Sequence, residues 1–243
     1  MPTLRENIEY WDKKYPWEDE GREWSYAWGS PETQWHGSIF WRIRDYLPVT
    51  NILEIAPGYG RWTSFLQQHC SSLQAVDVSR KCISYCRNKF RTPGKLSFYR
   101  NNGKTLPMIA PGSIDFVFSF DSFVHFNNEI VNCYLAEISA KLKNEGIGFI
   151  HHSNVGRHYH HIHNDGWRSA DVSCKSFEEA CNRNGLQCIS QEQITWGTNH
   201  DVLTDCFTIF TKTTKKITTK VIENFSFMDE ASWLKNITSS AYP

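Results

Sequence analysis

The chain has 243 residues, and its 26 Lys+Arg are balanced by 26 Asp+Glu, so the formal net charge is zero. A protein that works mainly by neutralising phosphates needs surplus Lys and Arg, and this balance therefore argues against a nucleic-acid partner. With 40% hydrophobic and 21% charged residues, the chain can bury a sizeable core and lacks the composition of a disordered protein.

The first 48 residues are rich in aromatic side chains, and six of the ten tryptophans lie within the first 41 residues. A flat tryptophan face packs well on the C–H surface of a sugar ring or on another planar group. We therefore predict that residues 1–48 form an aromatic cap or lid, with Trp24, Trp28 and Trp35 in contact with a substrate. The alternative is that these rings build a small core with a helix near residues 39–47.

Residues 1–10 contain no basic stretch followed by an apolar run, and the longest strongly apolar block, residues 114–120, is too short to cross a bilayer. We therefore expect a cytoplasmic protein without stable membrane insertion. None of the eight cysteines is arranged as Cys-x-x-Cys. We interpret them as free, buried thiols rather than as a disulfide framework.

From residue 49 to residue 212, short β-branched or aromatic runs alternate with helical patterns, which is typical of a parallel sheet with helices on its faces. Seven strands are predicted, at residues 51–55, 73–78, 96–100, 114–120, 146–152, 186–194 and 206–212. Four helices are predicted between them, at residues 63–70, 80–90, 128–142 and 176–183. Residues 213–243, which begin with a Thr/Lys-rich stretch, are predicted to form a C-terminal tail.

The first predicted strand runs into a tight turn with two glycines, in the stretch NILEIAPGYGRWT at residues 51–63. Gly58 and Gly60 let the backbone approach a ligand closely, and the helix that follows presents free amide groups. This arrangement predicts a cradle for a nucleoside-bearing ligand. A dinucleotide fingerprint requires a third glycine where Thr63 stands, so an NAD-type oxidoreductase is disfavoured. Glu54 lies in an otherwise apolar strand, where a buried carboxylate is costly unless it binds something, so we expect it to contact the ligand.

The glycine turn and the ends of the next three strands together resemble the class I S-adenosylmethionine-dependent methyltransferases, over about residues 40–212. The matching stretches are EIAPGYG at 54–60, AVDVS at 75–79, NNG at 101–103 and FSFDSFVH at 118–125. The chain departs from the family pattern at its first glycine, where Ala56 stands. The resemblance implies an α/β fold, with a seven-stranded, mostly parallel Rossmann-like sheet, helices on both faces and an antiparallel last strand. It also implies a cofactor-binding domain at residues 49–212, S-adenosylmethionine as cofactor and S-adenosylhomocysteine as product.

The resemblance assigns Asp77 to the ribose hydroxyls of the cofactor, because a carboxylate at the end of a strand accepts two hydrogen bonds from a diol. Many family members have an aspartate that binds the adenine amino group after the third strand, and Asn102 is the candidate for that contact here. Arg61 is either the partner of the cofactor carboxylate or a packing residue at the helix start. The full set of predicted cofactor contacts is Glu54, Ala56, Gly58, Gly60, Arg61, Trp62, Asp77, Val78, Asn102, Gly103, Phe120 and Asp121.

Methyl transfer to an alcohol requires alignment of the nucleophile and removal of its proton, and histidine suits the second task. His125 lies four residues after Asp121 and is predicted to be the base, with Asp121 orienting its ring or holding the cofactor's amino group. The alternative is a partly buried histidine whose hydrogen bonds go to the backbone. His151 and His152 are further candidates for the catalytic histidine, because they end the fifth strand, where side chains point into the ligand crevice. Alternation lets only one of them face it, and the pattern does not say which.

The polar stretch at residues 154–170 is a candidate lid, and Trp167 and Arg168 within it are predicted to complete the substrate wall. The same stretch contains histidines at positions 158, 160, 161 and 163. Their spacing matches no closed tetrahedral template and no cysteine accompanies them, so we predict no metal site.

The expected reaction is O-methylation of a hydroxyl, and the motifs resemble bacterial methyltransferases associated with sugar or surface-polysaccharide modification. The expected partner is thus a small-molecule or saccharide acceptor, and the oligomeric state is left open. Two alternatives remain: a methyltransferase that acts on a small natural product or an amine, and a non-catalytic cofactor-binding protein with a degenerate site.

Overall fold

The apolar runs of the chain form one open sheet in a computed structural model that describes residues 3–158, 168–198 and 200–241. The eight strands are β1 (Val49–Ile55), β2 (Cys70–Asp77), β3 (Leu96–Arg100), β4 (Ile114–Phe123), β5 (Leu142–Ser153), β6 (Gln187–Ile194), β7 (Asp205–Thr211) and β8 (Lys220–Asn224). They lie side by side in the order β3-β2-β1-β4-β5-β7-β6-β8. β1 to β5 pair in parallel, β7 runs antiparallel to β5 and β6, and β8 pairs in parallel with β6. The carboxyl ends of β1, β2 and β4 therefore meet at one edge of the sheet, where open α/β sheets bind ligands.

The predicted mostly parallel sheet is confirmed, but the predicted number of seven strands is wrong. Each of the seven predicted strands is present, and the one expected to be antiparallel is β7. The eighth strand, β8, lies within the predicted tail at the edge of the sheet, and most of its residues are exposed. Its only apolar residues are Val221 and Ile222, so it lacks the longer apolar run that marks a buried strand.

Helices cover both faces of the sheet. They are α1 (Leu4–Glu9), α2 (Pro31–Gln34), α3 (Phe40–Ile43), α4 (Thr63–Leu66), α5 (Arg80–Lys89), α6 (Asn128–Lys141), α7 (Cys174–Arg183) and α8 (Phe227–Ala241). Ser79 and Asn127 cap the N-termini of α5 and α6, because their side chains accept hydrogen bonds from amides of the first turn. α7 begins two residues earlier than predicted, because Ser173 forms a capping box with Ser176.

The N-terminal segment and α8 share one core with a face of the sheet. Trp28 and Trp35 are 1% and 0% exposed, and both belong to the cluster that contains Phe227 of α8. The rings of Trp28 and Phe227 lie 5.7 Å apart, and a Cβ added to Gly37 would lie 2.8 Å from the side chain of Leu234. The core alternative therefore holds for these two tryptophans. Their predicted contact with a substrate is corrected to a packing role, because the sheet and α8 bury them completely.

No helix in the part of the chain that the structure describes is long and apolar enough to span a membrane. All eight cysteines are free thiols, as predicted, and seven of them are buried.

Candidate active site

The turn after β1 has a backbone conformation that side chains resist. Ala56, Gly58 and Gly60 have positive φ angles of 58°, 58° and 79°, in the left-handed region that glycine adopts without penalty. The Gly58 amide donates a hydrogen bond of 3.2 Å to Asp77 Oδ2 at the end of β2, which ties the turn to the neighbouring strand. Ala56, which stands where the family pattern has its first glycine, thus adopts the left-handed conformation although it carries a Cβ.

A cleft lies between this turn and the N-terminal segment, at the carboxyl ends of the strands, where open α/β sheets bind ligands. Nine predicted cofactor contacts lie in its wall: Ala56, Gly58, Arg61, Trp62, Asp77, Val78, Gly103, Phe120 and Asp121. These residues come from distant parts of the sequence, and the strand ends bring them together.

The N-terminal segment forms the opposite wall of this cleft, through residues that include Leu4, Asn7, Trp11, Trp17 and Trp24. Trp17 stacks on Tyr59 of the glycine turn, with ring centroids 4.5 Å apart and planes at 4°. A Cβ added to Gly58 would lie 2.6 Å from the Trp17 ring, so only glycine allows this close approach. Asp12 accepts a hydrogen bond of 2.8 Å from the Ser79 hydroxyl, which fixes the segment to α5.

Asp77 is the acidic group of the cleft nearest to the glycine turn. It is buried, and its two oxygens accept hydrogen bonds from the amides of Gly58 and Ser79. Burial raises the pKa of Asp77 to about 6, although these hydrogen bonds act in the opposite direction. A carboxylate in this place keeps lone pairs for the two hydroxyls of a ribose.

The other three predicted cofactor contacts are not among the residues that line the cleft. Glu54 is 1% exposed and accepts a hydrogen bond of 2.5 Å from Thr63 Oγ1, and burial raises its pKa to about 8. A Cβ on Gly60 would lie 2.3 Å from Phe90, so this glycine serves packing rather than a ligand. Asn102 is exposed, and its Oδ1 accepts hydrogen bonds from amides of the following turn.

A second cavity of about 850 Å³ adjoins the cleft and is lined mostly by aromatic rings. Its wall consists of Tyr10, Trp11, Tyr15, Trp24, Asp121, Val124, His125, Arg168 and Trp196. Four of these residues, Trp11, Trp24, Asp121 and His125, also line the cleft. His125 follows β4, and its ring centroid lies 5.5 Å from that of Trp11. One histidine and one carboxylate therefore stand at the boundary between the cleft and the aromatic cavity.

A row of buried and partly buried polar side chains runs from Arg61 to Arg168. Arg61 donates a hydrogen bond to Asp121, and Asp121 Oδ1 lies 3.2 Å from His151 Nδ1. On the other side of the ring, His151 Nε2 lies 3.0 Å from Asp205 Oδ2. Arg168 donates two hydrogen bonds to Asp205, of 2.5 and 2.7 Å. These contacts hold the Asp121 side chain in place between the two cavities.

The protonation of this row follows from burial and from the paired charges. Burial lowers the pKa of His151, but its contacts with the two carboxylates outweigh burial and raise the pKa overall. Burial raises the pKa of both Asp121 and Asp205, but the arginines and His151 outweigh it, so both values lie below the usual range for aspartate. Both carboxylates are therefore ionised at neutral pH.

The two histidines at the end of β5 lie on opposite faces of the sheet, as strand alternation predicts. His151 is fully buried between its two aspartates, and it lines neither cavity. His152 is also fully buried; its ring stacks on Phe177 at 3.9 Å. Burial lowers the pKa of His152 to about 3. Their predicted role as a base is corrected, because neither residue lines the cleft or the aromatic cavity.

The predicted substrate residues have different locations. Trp24 and Arg168 line the aromatic cavity, Trp28 and Trp35 lie in the core, and Trp167 lies outside the described residues. The histidines at positions 160, 161 and 163 also lie outside them. Within residues 3–158, 168–198 and 200–241, no group of three His, Cys, Asp or Glu side chains is arranged to hold a metal ion.

Sequence reasoning missed the part of the N-terminal segment that comes closest to both cavities. Asn7, Tyr10, Trp11, Tyr15 and Trp17 all line one cavity or both. The signal available was the density of aromatic residues between positions 10 and 17. No local pattern indicated that this stretch, rather than the tryptophans at 28 and 35, would lie over the strand ends.

One protein-family comparison and several solved structures bear on the class of this protein. Residues 52–146 match the family model described as a methyltransferase domain. No curated protein matches the chain.

Several solved structures share the fold. The PH0226 protein from Pyrococcus horikoshii is 16% identical with a TM-score of 0.60, over 84% of this chain and 98% of that one. An S-adenosylmethionine-dependent methyltransferase from Clostridium acetobutylicum is 14% identical with a TM-score of 0.58, over 85% and 98%. A chain from the Haloferax volcanii complex of the Trm112 methyltransferase activator with a methyltransferase is 21% identical with a TM-score of 0.55, over 82% and 99%.

Proposed function

We propose that this chain, a methyltransferase that uses S-adenosylmethionine, methylates a hydroxyl group of a small acceptor, with a sugar ring as the first acceptor class. The matched methyltransferase domain at residues 52–146 supports the enzyme class and the cofactor, and the fold is shared with an S-adenosylmethionine-dependent methyltransferase. The acceptor and the methylated atom are the proposed part. The observation that supports them is the position of His125 in the wall shared by the cleft and the aromatic cavity.

The residues of the cleft fit the cofactor. Asp77 offers acceptors for ribose hydroxyls. Arg61 lines the same cleft and pairs with Asp121, and its guanidinium has further N–H donors for a carboxylate. Two buried polar atoms in the wall, Trp62 Nε1 and Asn7 Oδ1, have no hydrogen-bond partner among the described residues. A ligand with both donors and acceptors would satisfy them, and S-adenosylmethionine carries both.

When bound, the cofactor supplies a methyl group on a positively charged sulfur. The protein residues then have three tasks. The rings of Trp11, Trp24 and Trp196 hold a flat or C–H-rich face of the acceptor. His125, at the boundary of the two cavities, accepts the proton of the acceptor hydroxyl. Arg61 and His151 fix the Asp121 carboxylate beside it, so that the wall keeps its shape during the reaction.

The acceptor proposal is tested with S-adenosylmethionine labelled in the methyl group. The label is offered with methyl glycosides of common hexoses and deoxyhexoses, with catechol, and with ethanolamine. We expect label on a glycoside hydroxyl. His125→Ala should then lose about 100-fold or more of the transfer rate, as general bases typically contribute that much. Its affinity for S-adenosylhomocysteine should stay within about threefold, because a base contributes to the proton transfer rather than to cofactor affinity.

His36→Ala is the matched control, because His36 is exposed and lies outside both cavities. It should retain both the rate and the affinity. Label on the amine of ethanolamine, with little effect of His125→Ala, would contradict the proposal, because a neutral amine attacks without help from a base. Label on catechol alone would support O-methylation with His125 as the base but would contradict a sugar as the acceptor.

A further inference from the structure

Asn7 has a buried side-chain amide in the wall of the cofactor cleft, and the oxygen of this amide accepts no hydrogen bond from the described residues. It lies in α1 and is 2% exposed. Its Nδ2 donates a hydrogen bond of 3.3 Å to the backbone oxygen of His125. Its Oδ1 has no partner among the described residues. A buried carbonyl oxygen without a donor costs free energy, so this atom is poised for a donor that a ligand brings.

The surroundings of Asn7 indicate which half of the cofactor lies there. Leu4, one helical turn before Asn7, is close to the strand ends, since a Cβ on Gly103 would lie 2.6 Å from Leu4 and 3.0 Å from Val78. Phe126 also lines the cleft, and it packs with Leu4 against the same apolar cluster. This apolar part suits a flat purine ring. The zwitterionic methionine half is better placed at the charged part of the cleft, beside Arg61 and Asp121.

We propose that Asn7 Oδ1 accepts a hydrogen bond from the exocyclic amino group of the cofactor's adenine. The ribose hydroxyls have Asp77 as their acceptor, so the amino group is the remaining donor of the adenosine half. Asn102 does not take this position, because its Oδ1 already accepts hydrogen bonds from the amides of Lys104 and Thr105. α1 is then a part of the cofactor site rather than a cover for it. Through Asn7 Nδ2, adenine recognition is also joined to the loop that carries His125.

The test compares S-adenosylhomocysteine with S-inosylhomocysteine, in which an oxygen replaces the adenine amino group, by calorimetric titration. The wild-type protein should prefer the adenosyl ligand by about 10-fold or more, because the inosyl oxygen places two acceptors against each other. Asn7→Leu should reduce this preference to within about threefold of unity. Arg5→Ala, an exposed change in the same helix, should keep the wild-type preference.

Asn7→Ala provides a second variant that removes the same acceptor without adding a larger apolar side chain, and it should likewise reduce the preference for the adenosyl ligand. Comparing two ligands within each variant separates the contact with adenine from any general effect of the variant on the fold. The proposal is overturned if Asn7→Leu or Asn7→Ala keeps the full preference, or if the wild type shows none. Failure of the wild type to bind either ligand would overturn the cofactor itself. The acceptor proposal does not enter this test, because no methyl transfer is measured.

Discussion

The buried carboxyl group of Glu54 leads to a prediction about stability that separates packing from cofactor binding. Burial raises the pKa of Glu54 from an ordinary value of 4.5 to about 8, against the opposing effect of the hydrogen bond from Thr63. Between these two pH values the unfolded carboxyl is ionised and the folded one is protonated. The unfolded state therefore binds fewer protons, and the free energy of unfolding falls by about 1.4 kcal/mol for each step of one in pH. Over the whole interval the free energy of unfolding falls by about 5 kcal/mol. The fall is complete near pH 8, and below pH 4.5 none of this stability is lost.

Glu54→Gln removes this pH dependence, because an amide does not ionise. Urea denaturation at pH 5, 6, 7 and 8 should show the variant within about 1 kcal/mol of the wild type at pH 5. The free energy of unfolding of the variant should then exceed that of the wild type by an amount that increases up to pH 8. Glu18→Gln, at an exposed position, is the control and should show no such trend. A difference between Glu54→Gln and the wild type that stays constant from pH 5 to pH 8 would refute the reasoning.

The same variant addresses the sequence prediction that Glu54 contacts the cofactor. Because Glu54 is not among the residues that line the cleft, Glu54→Gln should bind S-adenosylhomocysteine within about threefold of the wild type at pH 7. A loss of affinity of about 10-fold or more would show that the contact predicted from the sequence exists.

Two further predictions concern the strand ends. Ala56→Gly should raise the free energy of unfolding by about 0.5 to 1 kcal/mol. Glycine adopts the left-handed conformation at φ 58° without strain, and this gain outweighs the added freedom of glycine in the unfolded chain. A lower thermal midpoint for the variant would contradict this prediction. Asp77→Asn should weaken S-adenosylhomocysteine binding at pH 7.5 by roughly 1.5 to 3 kcal/mol. Because the pKa of Asp77 is about 6, the wild-type affinity should itself fall as the pH decreases below 6 and the carboxylate is protonated, whereas the Asp77→Asn affinity should not. A wild-type affinity that is unchanged between pH 7.5 and pH 5 would remove Asp77 from the site.

The positions of the central strands along the chain could be predicted because each is a short apolar run that ends in turn residues. The cofactor side of the cleft was predictable for the same reason, since parallel strands bring their carboxyl ends to one edge. Asp77, Val78 and Gly103 follow strands in the sequence, and they line the cleft in the structure. β8 carried no such signal, because an edge strand with exposed side chains has no need of an apolar run.

The opposite wall of the site depends on tertiary contacts that no local pattern encodes. All six N-terminal tryptophans have similar sequence surroundings, yet Trp35 lies in the core and Trp17 stacks on the glycine turn. His125 was the first candidate for the base, and His151 was a further candidate that the sequence did not exclude. Only the structure distinguishes them, because His151 is fully enclosed between Asp121 and Asp205 whereas His125 lines both cavities.

The most direct test of the central claim is a calorimetric titration of the wild-type protein with S-adenosylmethionine, S-adenosylhomocysteine and NAD at pH 7.5. The cleft at the strand ends, with Asp77 and Arg61 in its wall, predicts one site with micromolar affinity for the two methionine-derived ligands and no binding of NAD. Absence of binding to both methionine-derived ligands, or binding of NAD in their place, would contradict the account.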